Sequence, residues 1–174
     1  MDHVLYEWDI NGIPKQMVYN CVVWLVKVTG IRSGSTKGEG VGRGACTLIG
    51  DDINYINNNI ILSFQSKNLL QVTKHIPIPT NIFNVWNQLI LPTLTPTNKW
   101  VSLSSNTINN MLSNKDGFKI DGFTLGHMRN IMGSIVFERA CIECDGTVEE
   151  KVEAGVVAVM APLDQYSTKC MVLY

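Results

Sequence analysis

Three groups of residues in this chain have the types and spacing from which chemistry could be built. The first is Gly40-Val41-Gly42-Arg43-Gly44-Ala45, inside a longer basic, glycine-rich stretch from Arg32 to Gly44. Its glycines come close to a dinucleotide fingerprint, in which a backbone without side chains approaches phosphate at the start of a helix. That chemistry needs a helix directly after the loop, and Cys46–Ile49 is short and β-like. A basic loop touching phosphate or an acidic surface is the better functional reading, with a plain mobile hairpin loop as the alternative. The second group, Cys141-Ile142-Glu143-Cys144, has the spacing of half a zinc site or a redox pair. The sequence holds no second close-spaced pair, and residues three apart on a strand point to opposite faces. Buried structural thiols are therefore expected. The third group, His3, His75 and His127, is widely spaced, and none of the three belongs to a metal or nucleophile motif. With no P-loop, nucleophile elbow or zincin helix, the expectation is a non-enzyme without cofactor or metal, although a cysteine–histidine dyad using Cys144 or Cys170 marks the enzymatic alternative.

The elements that would position these residues are organised around Met17–Ile31. Val22, Val23, Val26 and Val28 around Trp24 make this run β-branched and apolar on both period-two faces, which predicts a long central strand. Ala45–Ile49 reads as a short strand, and Gly50-Asp51-Asp52 as a turn. Ile53–Gln65 reads as a strand interrupted by the Asn57–Asn59 triplet, and Leu69–Ile76 as another before Pro77 and Pro79. From Thr80 the period changes: Ile82, Phe83, Trp86, Leu89 and Ile90 predict a helix capped by Thr80 or Asn81 and stopped by Pro92. Trp100–Leu103 reads as a brief strand and Asn106–Leu112 as a helical turn. Gly133–Cys144 and Glu149–Met160 read as strands joined at Asp145-Gly146, and Cys170–Tyr174 could close the sheet. The expected fold is α+β, a twisted antiparallel sheet packed against one main helix and one or two short ones. Residues 1–16 are expected to form an N-terminal arm and 17–174 a single globular domain.

Composition narrows the class. The 174 residues are one domain's length, and 45% hydrophobic against 17% charged residues argues against disorder. Sixteen asparagines, none of which begins an Asn-x-Ser/Thr acceptor, together with five cysteines, an odd number, favour a reducing, intracellular setting. The start MDHVLYEWDI is not a signal peptide, and the charge-free stretch Ile76–Asn98 carries four prolines. Membrane contact is therefore expected to be peripheral. The formal charge of −1 hides an asymmetry: residues 1–9 sum to −3, residues 10–115 to +6 and residues 116–174 to −4. Such a layout suits head-to-tail contact between copies, or a basic face offered to an acidic partner.

The run Val26-Lys27-Val28-Thr29-Gly30-Ile31-Arg32-Ser33, a tryptophan-bearing helix and the late segment GFTLGHMRNIMGSIVFERACIE (Gly122–Glu143) resemble, in that order, the globular domain of rhabdovirus matrix proteins. The compact matrix proteins of plant cytorhabdoviruses are the most similar. The resemblance covers about Met17–Cys144 and implies a virion protein of the host cytoplasm, peripheral to membrane. Such a protein self-associates, condenses the helical nucleocapsid and links it to the envelope during assembly and budding. It implies that an N-terminal segment docks on a neighbouring copy, with Tyr6 and Trp8 as anchors. Viral nucleoprotein–RNA, anionic lipid or an envelope glycoprotein tail would meet Lys27, Arg32, Lys37, Arg43, Lys67 and Lys74. Animal-virus members have a basic N-terminal tail and a proline-tyrosine budding motif, both lacking here. The alternative is a viral nucleic-acid-binding protein, a capsid subunit or silencing suppressor, using the Arg32–Arg43 loop.

Overall fold

The computed structural model describes residues 15–34, 42–66, 71–114 and 120–163. The class is α+β, and the described residues form a three-stranded antiparallel sheet with five α-helices, helices holding more of them than expected. The run read as the central strand is helix α1, Lys15–Thr29. Val18, Cys21, Val22, Leu25 and Val26 are all buried and follow one another at three- and four-residue spacing, a single helical stripe. The β-branched content that suggested a strand is instead packing material, because tertiary burial outweighs a weak intrinsic preference. The helix ends where Gly30 turns left-handed at φ 64°, its N–H donating back to the Val26 carbonyl at 2.8 Å.

The sheet is a meander of β1 (Ile53–Ile56), β2 (Asn59–Gln65) and β3 (Gln71–Pro77) in that order. The asparagine triplet makes its first turn: Asn57 and Asn58 have φ of 49° and 61°, and Ile56 pairs with Asn59. A two-residue hairpin with both central residues left-handed matches the twist of its strands. Ile60, Leu62 and Phe64 of β2 and Val72 and Ile76 of β3 turn inward.

The helix expected after Pro79 is present as α2 (Thr80–Val85), a π-helical turn (Trp86–Ile90) and a 3₁₀ turn (Leu91–Thr93). Its N-cap is Pro79 and not Thr80 or Asn81. Pro92 is the second residue of the 3₁₀ turn, a first-turn position where a missing N–H costs little. Trp86 and Trp100 are both fully buried with ring centroids 5.2 Å apart at 43°. The Trp100 indole donates to the Ala45 carbonyl at 2.7 Å. The segments around Ala45–Ile49 and Trp100–Leu103, both expected as strands, are irregular and joined by a single bridge, Ile49 with Lys99. Asn106–Leu112 lies within α3, Ser105–Ser113, capped by Ser104, whose hydroxyl accepts from the Thr107 N–H.

The largest departure is at the end of the chain. Gly133–Cys144 belongs to α4 (Leu125–Glu143) and Glu149–Met160 to α5 (Val148–Leu163), and Asp145-Gly146 joins two helices. Thr147 and Glu150 cap α5 reciprocally, the Thr147 N–H donating to Glu150 Oε2 at 2.7 Å and the Glu150 N–H to Thr147 Oγ1 at 3.3 Å. That is a capping box, written in the sequence as T-V-E-E.

Candidate assembly surface

The root of the α4–α5 hairpin is tied firmly to the domain. Asn109 Oδ1 of α3 accepts from the Leu125 N–H at 2.9 Å, and Arg129 Nε donates to the Gly30 carbonyl, just past α1, at 2.6 Å. Thr124 caps α4, and the Thr124 N–H donates to Nδ1 of His127, whose ring lies 5.9 Å from that of Phe123. Leu125 and Met128 enter the core, and beyond them the main packing partner of α4 is α5.

The two helices meet closely because of a glycine. A methyl group on Gly155 would lie 2.6 Å from the Phe137 ring and 2.9 Å from Cys141 Sγ, and that thiol donates to the Lys151 carbonyl at 3.1 Å. One side of α4 is therefore given to α5. A different side is given to nothing in the described chain: Ile131, Ile135 and Ile142 are 51%, 50% and 73% exposed. With Glu138 they stand at steps of four, three and four residues, one line along the helix. Val148, Val152 and Val157 of α5 are exposed as well, so six of the nine large exposed aliphatic residues described lie on this hairpin. Isolated exposed aliphatics are ordinary, whereas a clustered stripe marks an interaction surface.

Charge is segregated on the same arm. Residues 138–153 hold six acids (Glu138, Glu143, Asp145, Glu149, Glu150, Glu153) against Arg139 and Lys151, a net −4. Residues 10–137 hold eleven Lys/Arg against five acids, a net +6. Arg139 pairs with Glu143 at 2.7 Å along the helix, which holds its guanidinium more firmly protonated than usual.

The expected basic positions separate. Lys27 is exposed on the last turn of α1 and Arg32 is exposed three residues after it, so both lie near the root of the hairpin. Arg43 is half-buried and paired: its Nε lies 3.2 Å from Asp52 Oδ2 and its Nη1 donates to the Thr47 carbonyl. Lys74 is half-buried on β3, opposite Leu62. Lys37 and Lys67 lie outside the described residues, as do Tyr6 and Trp8, most of the expected 1–16 arm, His3 and Cys170 with the closing strand; Lys15 and Gln16 of that arm already belong to α1.

The described end of the glycine-rich loop spends its backbone donors internally. The Gly44 N–H donates to Thr47 Oγ1 at 2.9 Å, Ala45 to the Arg32 carbonyl and Cys46 to that of Ser33. These amides already have partners and do not form a phosphate cradle. Cys141 lies on α4 and Cys144 caps its end, both half-buried, so the expectation of fully buried strand thiols gives way to a helical pair. Cys21 and Cys46 are the deeply buried thiols, each pushed up to about 12 by burial, with Lys99 pulling Cys46 slightly back. His75 is exposed on β3. No three His, Cys, Asp or Glu side chains converge on a metal-sized site among the described residues, and no described helix is long and apolar enough to cross a membrane.

Sequence reasoning missed the stripe because it assigned Gly133–Cys144 to a strand, whose two-residue period puts Ile135 on one face and Glu138 and Ile142 on the other and leaves Ile131 outside the element. The signal was available in the four-three-four spacing. No protein-family model and no curated protein matches the chain.

Proposed function

We propose that this chain is a non-enzymatic structural protein of viral matrix type, which self-associates and binds the helical nucleocapsid at the envelope. The observation that carries the reading is the α4–α5 hairpin, rooted in the domain by Asn109 and Arg129 yet offering an isoleucine stripe exposed among the described residues. An assembly protein needs such a face, and a monomeric binding module gains nothing from keeping it in water. The polarity of charge between body and hairpin supports contact with further copies and with a charged partner. Of the six basic positions expected to meet a charged partner, Lys27 and Arg32 are the described ones that are exposed. Arg43, the last residue of the Arg32–Arg43 loop and a member of the expected contact set, is paired with Asp52, which bears on both the matrix reading and the nucleic-acid-binding alternative.

The test is sedimentation of the purified protein across salt concentrations, with and without nucleoprotein–RNA. Salt-sensitive self-association together with co-sedimentation is the expected result. A strict monomer that ignores the nucleocapsid would overturn the reading.

A further inference from the structure

We propose that copies of this chain join head to tail, the acidic distal end of one α4–α5 hairpin seating on the basic root region of the next copy around Lys27, Val28 and Arg32. This rests on the self-association reading above and names the surfaces it would use. The donor surface is the stripe Ile131, Ile135, Glu138 and Ile142, continued at the turn by Val148 and flanked by Glu149 and Glu153. The acceptor surface combines the half-buried Val23 and Trp24 of α1 with exposed Lys27, Val28 and Arg32. Each surface is apolar at its centre and charged at its edge, and the charges are of opposite sign.

Charge decides between the ways two copies could meet. Pairing two hairpins about a two-fold axis would bring two regions of net −4 together, and like charges set against each other across an interface are costly. Seating the −4 tip on the exposed Lys27 and Arg32 of the next copy reverses the sign of that interaction. The geometry agrees. The 19-residue α4 is about 28 Å long, at about 1.5 Å per residue, and the Arg129 bond to Gly30 places the end of α1 beside its root. Acidic and basic surfaces thus lie toward opposite ends of one arm. A contact between unlike surfaces is heterologous, so each copy keeps one free donor and one free acceptor surface until the rotation between copies closes a ring or runs on as an open series.

The experiment is a charge swap on the full chain, read by sedimentation velocity at low and high salt. The tip variant carries Glu138→Lys, Glu149→Lys and Glu153→Lys; the root variant carries Lys27→Glu and Arg32→Glu. Glu150 is left alone because it caps α5. All five positions are exposed, and circular dichroism checks that each variant keeps its helix content. Each variant alone should self-associate on the order of tenfold or more weakly than wild type at low salt, and an equimolar mixture should regain association because each reversed surface meets its complement. Variants that associate as well as wild type would overturn the head-to-tail contact while leaving the self-association reading intact. A tip variant that still self-associates but no longer co-sediments with nucleoprotein–RNA would also overturn it, assigning the hairpin to the nucleocapsid. A wild-type chain that is monomeric at every salt concentration would overturn both readings.

Discussion

Replacing Gly44 by Ala should destabilise the domain severely, and the reason separates packing from ligand binding in the glycine-rich loop. Gly44 does not need a left-handed backbone; its constraint is space. A methyl group there would fall well inside contact distance of the Arg32 carbonyl oxygen and the Gly34 nitrogen, and 2.7 Å from the Gly34 Cα. All three are backbone atoms, so no side chain can swing aside. Ordinary carbon contacts need about 3.5–4.0 Å, so the two chain segments must part by about an ångström. Parting them strains the Ala45-to-Arg32 and Cys46-to-Ser33 hydrogen bonds, 2.7 and 2.8 Å long. Losing both costs about 1–3 kcal/mol net, and the overpacking itself adds about 1–3 kcal/mol. The entropy that Ala removes from the unfolded chain returns about 0.4–1 kcal/mol. The expected loss is therefore about 1–6 kcal/mol, set against the roughly 5–15 kcal/mol that holds a domain together. For a chain of this size that lowers Tm by about 2–24 °C. Denaturant melts and calorimetry measure it, with Gly126→Ala as the matched control. Gly126 lies in α4 and a methyl there meets only Thr124 Oγ1 at 3.4 Å, so that change should be neutral or stabilising by up to about 1 kcal/mol. A Gly44→Ala protein within about 0.5 kcal/mol of wild type would refute the packing argument and reopen a ligand role for the loop.

Three further outcomes follow from single contacts. Trp100→Phe leaves the buried Ala45 carbonyl without its 2.7 Å donor and should cost about 1–3 kcal/mol in denaturant melts; an unchanged midpoint would show that the bond contributes nothing net. Gly155→Val should push α5 off Phe137 and Cys141, speeding amide exchange in α5 while the sheet stays protected, and uniform protection would count against this hinge. Burial raises the Cys21 and Cys46 thiols in the folded state, so the stability they contribute is full below the ordinary thiol value of 9.0 and is lost as pH rises toward about 12. Between those limits the slope is about 1.4 kcal/mol per thiol per pH unit, and Cys21→Ala with Cys46→Ala should flatten the alkaline limb of a stability–pH curve.

The sheet and the Pro79–Pro92 helical segment were legible because their signals were local. Two left-handed asparagines make a hairpin wherever strands flank them, and the three- and four-residue spacing from Ile82 to Ile90 admits one reading. Helix α1 was misread because valine and tryptophan say strand by composition while the buried set Val18, Cys21, Val22, Leu25 and Val26 says helix by spacing. In a run that is apolar almost throughout, two periods fit the same residues and length must arbitrate; fifteen residues exceed an ordinary strand. The commitment of Arg43 to Asp52 could not be read from the sequence, since it depends on the 3₁₀ turn Gly50–Asp52 bringing the carboxylate back to the loop.

The misreading of α4 carries a lesson about its surface. An ordinary surface helix hides one apolar face and so shows a clear 3.6-residue period. In α4 apolar residues point in three directions: Leu125 and Met128 to the core, Phe137 and Cys141 to α5, and Ile131, Ile135 and Ile142 to neither. With three directions filled, the periodicity cancels and the helix resembles a half-polar strand. The first two directions are explained by contacts within the chain. The third is apolar without any such contact among the described residues, although burying a large aliphatic side chain contributes about 1.5–3 kcal/mol when a partner is available. A helix that needed only to complete this domain could carry Gln or Lys at those three positions at no cost to its packing. The feature that hid α4 from sequence reading is thus the same feature that leaves it an exposed isoleucine stripe.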